Sequence, residues 1–238
     1  MTGTRKTHLV IGASRGIGFA IANKLTEGGT HVIGVGRSET PERGSKFQYL
    51  NGDVHSDELL TRDVSNELKQ EKISGLVMAV GVSIASNTLD ARDRFVESFK
   101  TNVIGPYNAV LGLSDALAVD ASIVFVASIN AIQGFPGNPG YVSSKSAIAG
   151  LVRALAVDFG PRRVRVNGLC LGYFPTDMTK ASFEDEVEKT KRANRTCLGR
   201  WGTLEEAADA AEFLISNRSS YVTGQCLVVD GGWVAKGL

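Results

Sequence analysis

Short apolar runs alternate with longer amphipathic stretches along the 238 residues. That alternation predicts an α/β fold, a doubly wound parallel sheet of about seven strands with helices on both faces. Two further observations support it. Most strand candidates are rich in Val, Ile or Leu and unbroken by charge, as strands covered on both faces are. No internal repeat or low-complexity linker interrupts the chain, so residues 1–238 read as one domain.

The composition agrees with a soluble enzyme-sized domain. At 43% hydrophobic and 21% charged residues, a chain this long can bury a full core without disulfide or metal staples. Its formal net charge of +1 gives no global pull toward nucleic acid, an anionic membrane or a strongly acidic partner. The basic run from Arg162 to Arg165 reads as a solvated loop entering a strand. Cys170, Cys197 and Cys226 are odd in number and far apart, which suits reduced thiols better than a disulfide framework. His8, His31 and His55 lack the spacing of a metal pair, so no metal is expected. Met1 to His8 is short and polar, neither a signal peptide nor a membrane span, and the cytoplasm is the expected location.

The first strand, residues 8–11, runs into Gly12-Ala13-Ser14-Arg15-Gly16-Ile17-Gly18, and a helix over 17–27 follows. In a Rossmann-type sheet Gly12 permits the tight turn, Gly16 a close approach to a pyrophosphate, and Gly18 close packing of helix on sheet. The helix N-terminus then presents unpaired N–H groups to the phosphates. The second strand, 31–35, ends in Gly36-Arg37. Gly36 leaves room there, and Arg37 offers a planar cation suited to a 2′-phosphate, with Arg15 able to approach the same phosphate from the glycine loop. Two arginines and no competing carboxylate favour NADP(H) over NAD. The polar stretch 38–46 stands as a loop where another helix would fit the rhythm. The third strand, 47–50, leads to Asp53-Val54, where Asp53 could bond an adenine amino group or cap the helix expected over 57–70.

A fourth strand over 75–80 ends at Gly81, and a long helix over 91–117 carries Asn102. The fifth strand, 122–127, delivers Ser128, which can hydrogen-bond a substrate oxygen as charge develops on it. The helix over 142–159 opens with Tyr141-Val142-Ser143-Ser144-Lys145. A spacing of four sets Tyr141 and Lys145 on one face, a turn apart. A free tyrosine has a pKa near ~10. A neighbouring ammonium, helped by an oxidised nicotinamide, is expected to lower it and fit Tyr141 for proton exchange. After the sixth strand, 164–169, residues 172–198 are mixed in character and sit where a substrate lid would belong. A helix over 204–216 and a last strand over 225–229 complete the pattern.

Taken together, Gly12/Gly16/Gly18, Asp53-Val54, Asn102-Val103-x-Gly105, Ser128, Tyr141-x-x-x-Lys145, Thr176-Asp177-Met178, Tyr221-Val222-Thr223-Gly224 and Asp230-Gly231-Gly232 resemble the compact type of short-chain dehydrogenase/reductase over essentially the whole chain. The resemblance implies an NADP(H)-dependent enzyme with Tyr141 as acid/base. Lys145 would hold the nicotinamide ribose and depress the tyrosine pKa, Ser128 would orient the carbonyl, and Asn102 would hold a water in a proton relay. Thr176 would contact the carboxamide. It also implies a homo-oligomer, tetramer or dimer, paired through the helices at 91–117 and 142–159. Ile11, Met78-Ala79-Val80 and Leu171 depart from the family pattern; the first two remove hydrogen-bonding side chains around the cofactor loop.

The nearest subgroup is similar to the 3-oxoacyl-acyl-carrier-protein reductases. Read as the end of the long helix, Leu113 to Asp120 has two aspartates, Asp115 and Asp120, and no basic residue, a poor match to an acidic carrier. A small or secondary-metabolic ketone or alcohol is therefore the expected substrate, with Ser83, Gln133, Phe135 and Phe174 as pocket wall. The competing readings are the carrier-protein reductase and a catalytically silent NADP(H)-sensing scaffold.

Overall fold

The computed structural model describes residues 6–56, 62–85 and 92–236. Seven parallel strands form one sheet in the order β3-β2-β1-β4-β5-β6-β7. They are β1 Thr7–Ile11, β2 His31–Gly36, β3 Gln48–Asn51, β4 Ile73–Met78, β5 Leu117–Ser128, β6 Arg165–Leu171 and β7 Cys226–Val229. The α/β class and the strand count are those the sequence predicts. Helix α1 spans Gly16–Glu27, α2 Val64–Leu68, α3 Arg92–Phe99, α4 Gly105–Gly112 and α5 Pro139–Phe159. After β6 come α6 Lys180–Glu184, α7 Glu186–Arg195, α8 Leu204–Ile215 and α9 Trp233–Lys236.

The strand pleat sorts side chains into two cores. Leu9, Ile11, Ile123 and Phe125 face a cluster completed by Val110 from α4 and Ile148 and Val152 from α5. Val10, Val77 and Val124 face the other side, where Ile21 and Leu25 of α1 meet Ala208 and Leu214 of α8. Because both faces are covered, all five residues of β1 are buried, which is why the run reads as continuous rather than alternating. Strand order reverses between β1 and β4, so a crevice opens at their carboxyl ends, where ligands of such sheets bind.

Three expectations change. The helix expected over 57–70 appears as Val64–Leu68, its residues 57–61 lying outside the described ones. The long helix over 91–117 is interrupted by a π turn at Lys100–Ile104 and ends at Gly112. Pro106 accounts for the break: it has no N–H for the carbonyl of Asn102 four residues back. From Leu117 the chain is already β5, so Asp120 belongs to a strand, not a helix end. Finally, the mixed stretch 172–198 folds into α6 and α7. Asp185 caps α7 by accepting from the N–H groups of Val187 and Glu188 at 2.9 and 3.1 Å.

Candidate active site

The glycine turn is built by close approach. Gly12 has φ +95°, and a Cβ there would sit 2.6 Å from the carbonyl of Ala79. Its N–H and that of Ala13 both donate to the carbonyl of Val35, at 2.8 and 2.9 Å. A Cβ on Gly18 would overlap the carbonyl oxygen of Gly12. These contacts leave no space for side chains between β1, α1 and the end of β4. The departure to Ala79 fits this geometry, since its small side chain already touches the Gly18 position. Gly16 is different. At φ +58° its nearest neighbour would be the Thr176 side chain at 3.7 Å, so it leaves an open cradle at the start of α1. Ile17, beside it, packs on the second core.

The adenosine end is more crowded than expected. A Cβ on Gly36 would meet the Tyr49 hydroxyl at 2.7 Å and the Ser14 Cβ at 2.9 Å, so those groups fill the room the glycine makes. Tyr49 donates to the carbonyl of Ser38 at 2.9 Å, and Asn51 donates to the carbonyls of Arg37 and Ser38. The Arg37 backbone is thus fixed, while its side chain is exposed. Arg15 does not turn toward it. Its guanidinium pairs with Asp177 at 3.0 Å, drawn across the cleft by a carboxylate of the segment after β6. Asp53 uses Oδ1 to accept from the His55 N–H at 2.9 Å, a local turn rather than a helix cap, and Val54 is buried against Gly105. A cleft of about 190 Å³ lies between the cradle and the segment leading to α6, lined by Gly16, Glu42, Thr176, Asp177, Phe183 and Leu204.

Ser128, Tyr141 and Lys145 meet at the carboxyl ends of β4 to β6. Ser128 ends β5 opposite Leu171 of β6 and is nearly buried. Asn138 caps α5: its Oδ1 accepts from the Tyr141 N–H at 3.4 Å, Pro139 takes the first helical position, and its Nδ2 donates to Ser83 Oγ at 2.8 Å. Burial pushes the Tyr141 phenol above its ordinary pKa, with the Ser128 hydroxyl working in the opposite direction. The expectation that Lys145 lowers it therefore does not hold for the protein alone. The reason is geometric: Lys145 Nζ lies 5.7 Å from the Tyr141 ring centre and donates to the carbonyl of Val126 at 3.0 Å. Burial brings the Lys145 ammonium itself down to about 8. Gly81 is its neighbour, with room for a Cβ only 3.2 Å from Nζ.

Asn102 sits in the π turn with its side chain fully engaged. Oδ1 accepts from the Val82 N–H at 2.7 Å, while Nδ2 donates to the Val82 carbonyl at 3.0 Å and to Ser144 Oγ at 2.9 Å. The side chain ties the loop after β4 to α5. Pro106 leaves the Asn102 carbonyl without its α-helical N–H partner four residues on.

The expected pocket wall is redrawn. Phe174 is 3% exposed, packed over Gly202 where a Cβ would overlap its ring, so it belongs to the core. Gln133 accepts a hydrogen bond from Trp233 Nε1 at 3.2 Å. Trp233 lies 4.7 Å from the ring of Tyr173, and Phe135 is exposed in the turn leading to α5. Tyr173, Trp233 and Asn138 are site residues the sequence reading missed. Asn138-Pro139 has the cap-then-proline signature of a helix start and was readable; Tyr173 and Trp233 are brought in by tertiary contacts alone.

The chain matches, over residues 12–234, a family model described as enoyl-(acyl carrier protein) reductase. It is 34% identical over 241 residues to the 3-oxoacyl-(acyl-carrier-protein) reductase of Chlamydia muridarum, covering 95% of this chain and 96% of that protein. Among solved structures it is similar to Thermoplasma acidophilum aldohexose dehydrogenase, with a TM-score of 0.90, 28% identity and 97% and 94% of the two chains covered. It is also similar to a Burkholderia cenocepacia gluconate 5-dehydrogenase in complex with NADP and tartrate, with a TM-score of 0.87, 26% identity and 97% and 95% covered. With the family model matched over residues 12–234 and a relative 34% identical across nearly all of both chains, the chain belongs to the short-chain dehydrogenase/reductase family.

Proposed function

We propose that the protein is an NADP(H)-dependent oxidoreductase acting on a ketone or secondary alcohol of a small or secondary-metabolic substrate. The observation that carries this reading is the convergence of Ser128, Tyr141 and Lys145 beside the open Gly16 cradle. The cradle fits a dinucleotide pyrophosphate, because main-chain N–H groups face a space no side chain occupies. Arg37 would hold the 2′-phosphate, with Arg15 joining only by leaving Asp177. Gly12, Ser14, Gly18, Asp53, Val54, Gly81 and Thr176 would frame the rest of the cofactor. When bound, the nicotinamide supplies or accepts the hydride. Ser128 donates a hydrogen bond to the substrate oxygen, and the Tyr141 phenol gives that oxygen its proton in reduction or removes it in oxidation. Lys145, close to the phenol ring, favours its ionised form once the nicotinamide's charge is added. Water on the Asn102 carbonyl would return the proton to solvent.

A substrate screen following NADPH absorbance tests this. Tyr141→Phe is expected to lose at least about 10²-fold in turnover while still binding NADPH, and full activity would refute the assignment. Arg37→Ala is expected to weaken NADPH far more than NADH, and equal effects would refute the cofactor preference. NADPH binding without turnover across the whole panel would favour a sensing scaffold instead.

A second reading, reduction of a carrier-bound 3-oxoacyl group, gains support from the fold. Asp120 is held by Arg163 through two bonds of 2.7 and 2.8 Å, and Arg162 and Lys72 lie on carbonyls of the same segment. That segment is at the amino end of β5, roughly 30 Å along the strand from Ser128. Asp115 and Asp120 therefore do not face the site, and the charge argument against an acidic carrier loses its force. Comparing an acetoacetyl group on carrier protein with the same group on pantetheine separates the two readings.

The homo-oligomer expected from the family pattern remains a proposal. Its support is the exposed apolar set Phe95, Val96, Ile104, Tyr107 and Leu111 on α3, the π turn and α4, with Val157 on α5. Sedimentation tests it, a monomer being the refuting result.

A further inference from the structure

Tyr173 follows β6 by two residues, and the last residue of β6, Leu171, is paired with Ser128. Its ring is packed from several sides. Trp233 lies 4.7 Å away, Trp201 meets it edge-on at 5.3 Å, and the guanidinium of Arg192 from α7 sits over it at 5.2 Å. Trp233 is in turn tied to Gln133, five residues after Ser128. Held this way, Tyr173 has little freedom to swing, and its hydroxyl is the polar group it can offer a ligand. That hydroxyl makes no hydrogen bond to another described residue, its residue follows the strand end that pairs with Ser128, and an ionised Tyr173 would push the Tyr141 phenol further up.

Resting on the hydride-transfer reading above, we propose that the Tyr173 hydroxyl is a specificity-determining group that hydrogen-bonds a second oxygen of the substrate, next to the reacting carbonyl. The substrate class is then a β-keto ester or thioester, a hydroxy ketone or a keto sugar acid, not a simple ketone. A donor whose ring is held by three packed neighbours loses little entropy on binding such an oxygen. A simple ketone leaves the hydroxyl to water and gains nothing from it. This account covers both kinds of substrate named for the relatives, since a 3-oxoacyl group and a gluconate each place oxygens on neighbouring or next-neighbouring carbons.

The test compares ethyl acetoacetate with 2-hexanone, chains of similar length that differ in the second oxygen function, at saturating NADPH. Tyr173→Phe keeps the packed ring and removes only the hydroxyl. It is expected to lower kcat/KM for ethyl acetoacetate about tenfold, chiefly through KM, as loss of one neutral hydrogen bond implies. For 2-hexanone the change is expected to stay within about twofold, with NADPH affinity unaltered. An equal loss on both ketones, or none on either, overturns the proposal. A wild-type protein that reduces no ketone in a broad panel overturns the hydride-transfer reading and this inference with it, whereas an active wild type with indifferent Tyr173→Phe removes the inference alone.

Discussion

Lys145 Nζ gives its hydrogen bond to the carbonyl of Val126 at 3.0 Å and stands 5.7 Å from the centre of the Tyr141 ring. In the protein without nucleotide, burial rather than the ammonium governs the phenol. The Tyr141 phenolate, followed by ultraviolet difference absorbance against Tyr141→Phe, is expected to titrate above the ordinary tyrosine range. Adding NADP⁺ is expected to move the titration downward, and Lys145→Met to remove much of that movement. Turnover in Lys145→Met is expected to fall by about 10²-fold or more.

Gly16 and Gly18 separate binding from folding. Alanine at Gly18 would put its methyl group into the Gly12 carbonyl, which is backbone and cannot move aside cheaply. Gly18→Ala is expected to lower the melting temperature sharply and abolish NADPH binding. Gly16→Ala meets nothing closer than 3.7 Å, so its cost is a left-handed backbone, about 1 kcal/mol. It is expected to melt within a few degrees of the parent yet bind NADPH weakly, because its methyl group enters the space for the pyrophosphate. Calorimetric melting and a binding titration on each variant check this.

His8 is buried, its Nδ1 has no hydrogen-bond partner among the described residues, and burial lowers its pKa to about 4. The folded state holds the ring neutral, while the unfolded chain takes up a proton near pH 6.5. Stability from this group is therefore complete above about pH 6.5 and is lost as pH falls through about 4. Between pH 7.5 and 5 the wild type is expected to lose roughly 2 kcal/mol relative to His8→Phe, which cannot titrate. Denaturant midpoints at the two pH values test the sign, and a difference independent of pH contradicts it.

Arg165 is a buried cation held by oxygens rather than by a carboxylate. Nη1 donates to the carbonyl of Leu214 at 2.9 Å and to Ser219 Oγ at 2.7 Å, and Nη2 to the carbonyl of Ser216 at 3.0 Å. The guanidinium thus closes the carboxyl end of α8, where a positive charge is favoured. A lysine has one donor centre and cannot serve these oxygens together. Arg165→Lys is expected to cost roughly 2–4 kcal/mol. Because residue 165 lies at the end of β6 away from Tyr141, kcat at low temperature should be unchanged. A loss of kcat at full folding would count against this separation.

The elements were legible where one physical rule dominates. Most strands were readable as apolar runs because helices cover both faces of the sheet, and the glycine turn because φ at Gly12 and crowding at Gly12 and Gly18 exclude larger residues. The break in the long helix was also present in the sequence, as Asn102 followed four residues later by Pro106, but helical periodicity outweighed it. Other features were not local. Phe174 and Tyr173 are adjacent, one buried over Gly202 and the other packed between Trp201 and Trp233, and only that tertiary packing decides which is which. Arg15 depends on Asp177, a residue more than 160 positions away. Composition and spacing cannot weigh such partners.

The bond from Trp233 to Gln133 also sets how the site can be altered. Its two ends are 100 residues apart in the chain, with Tyr141 and Tyr173 between them. A mutational library confined to one segment, such as α6 and α7, would vary one side of this wall against a fixed opposite side and would mostly sample misfits. Changing substrate preference calls for joint variation at residues 133, 173 and 233, because each sets the position available to the next.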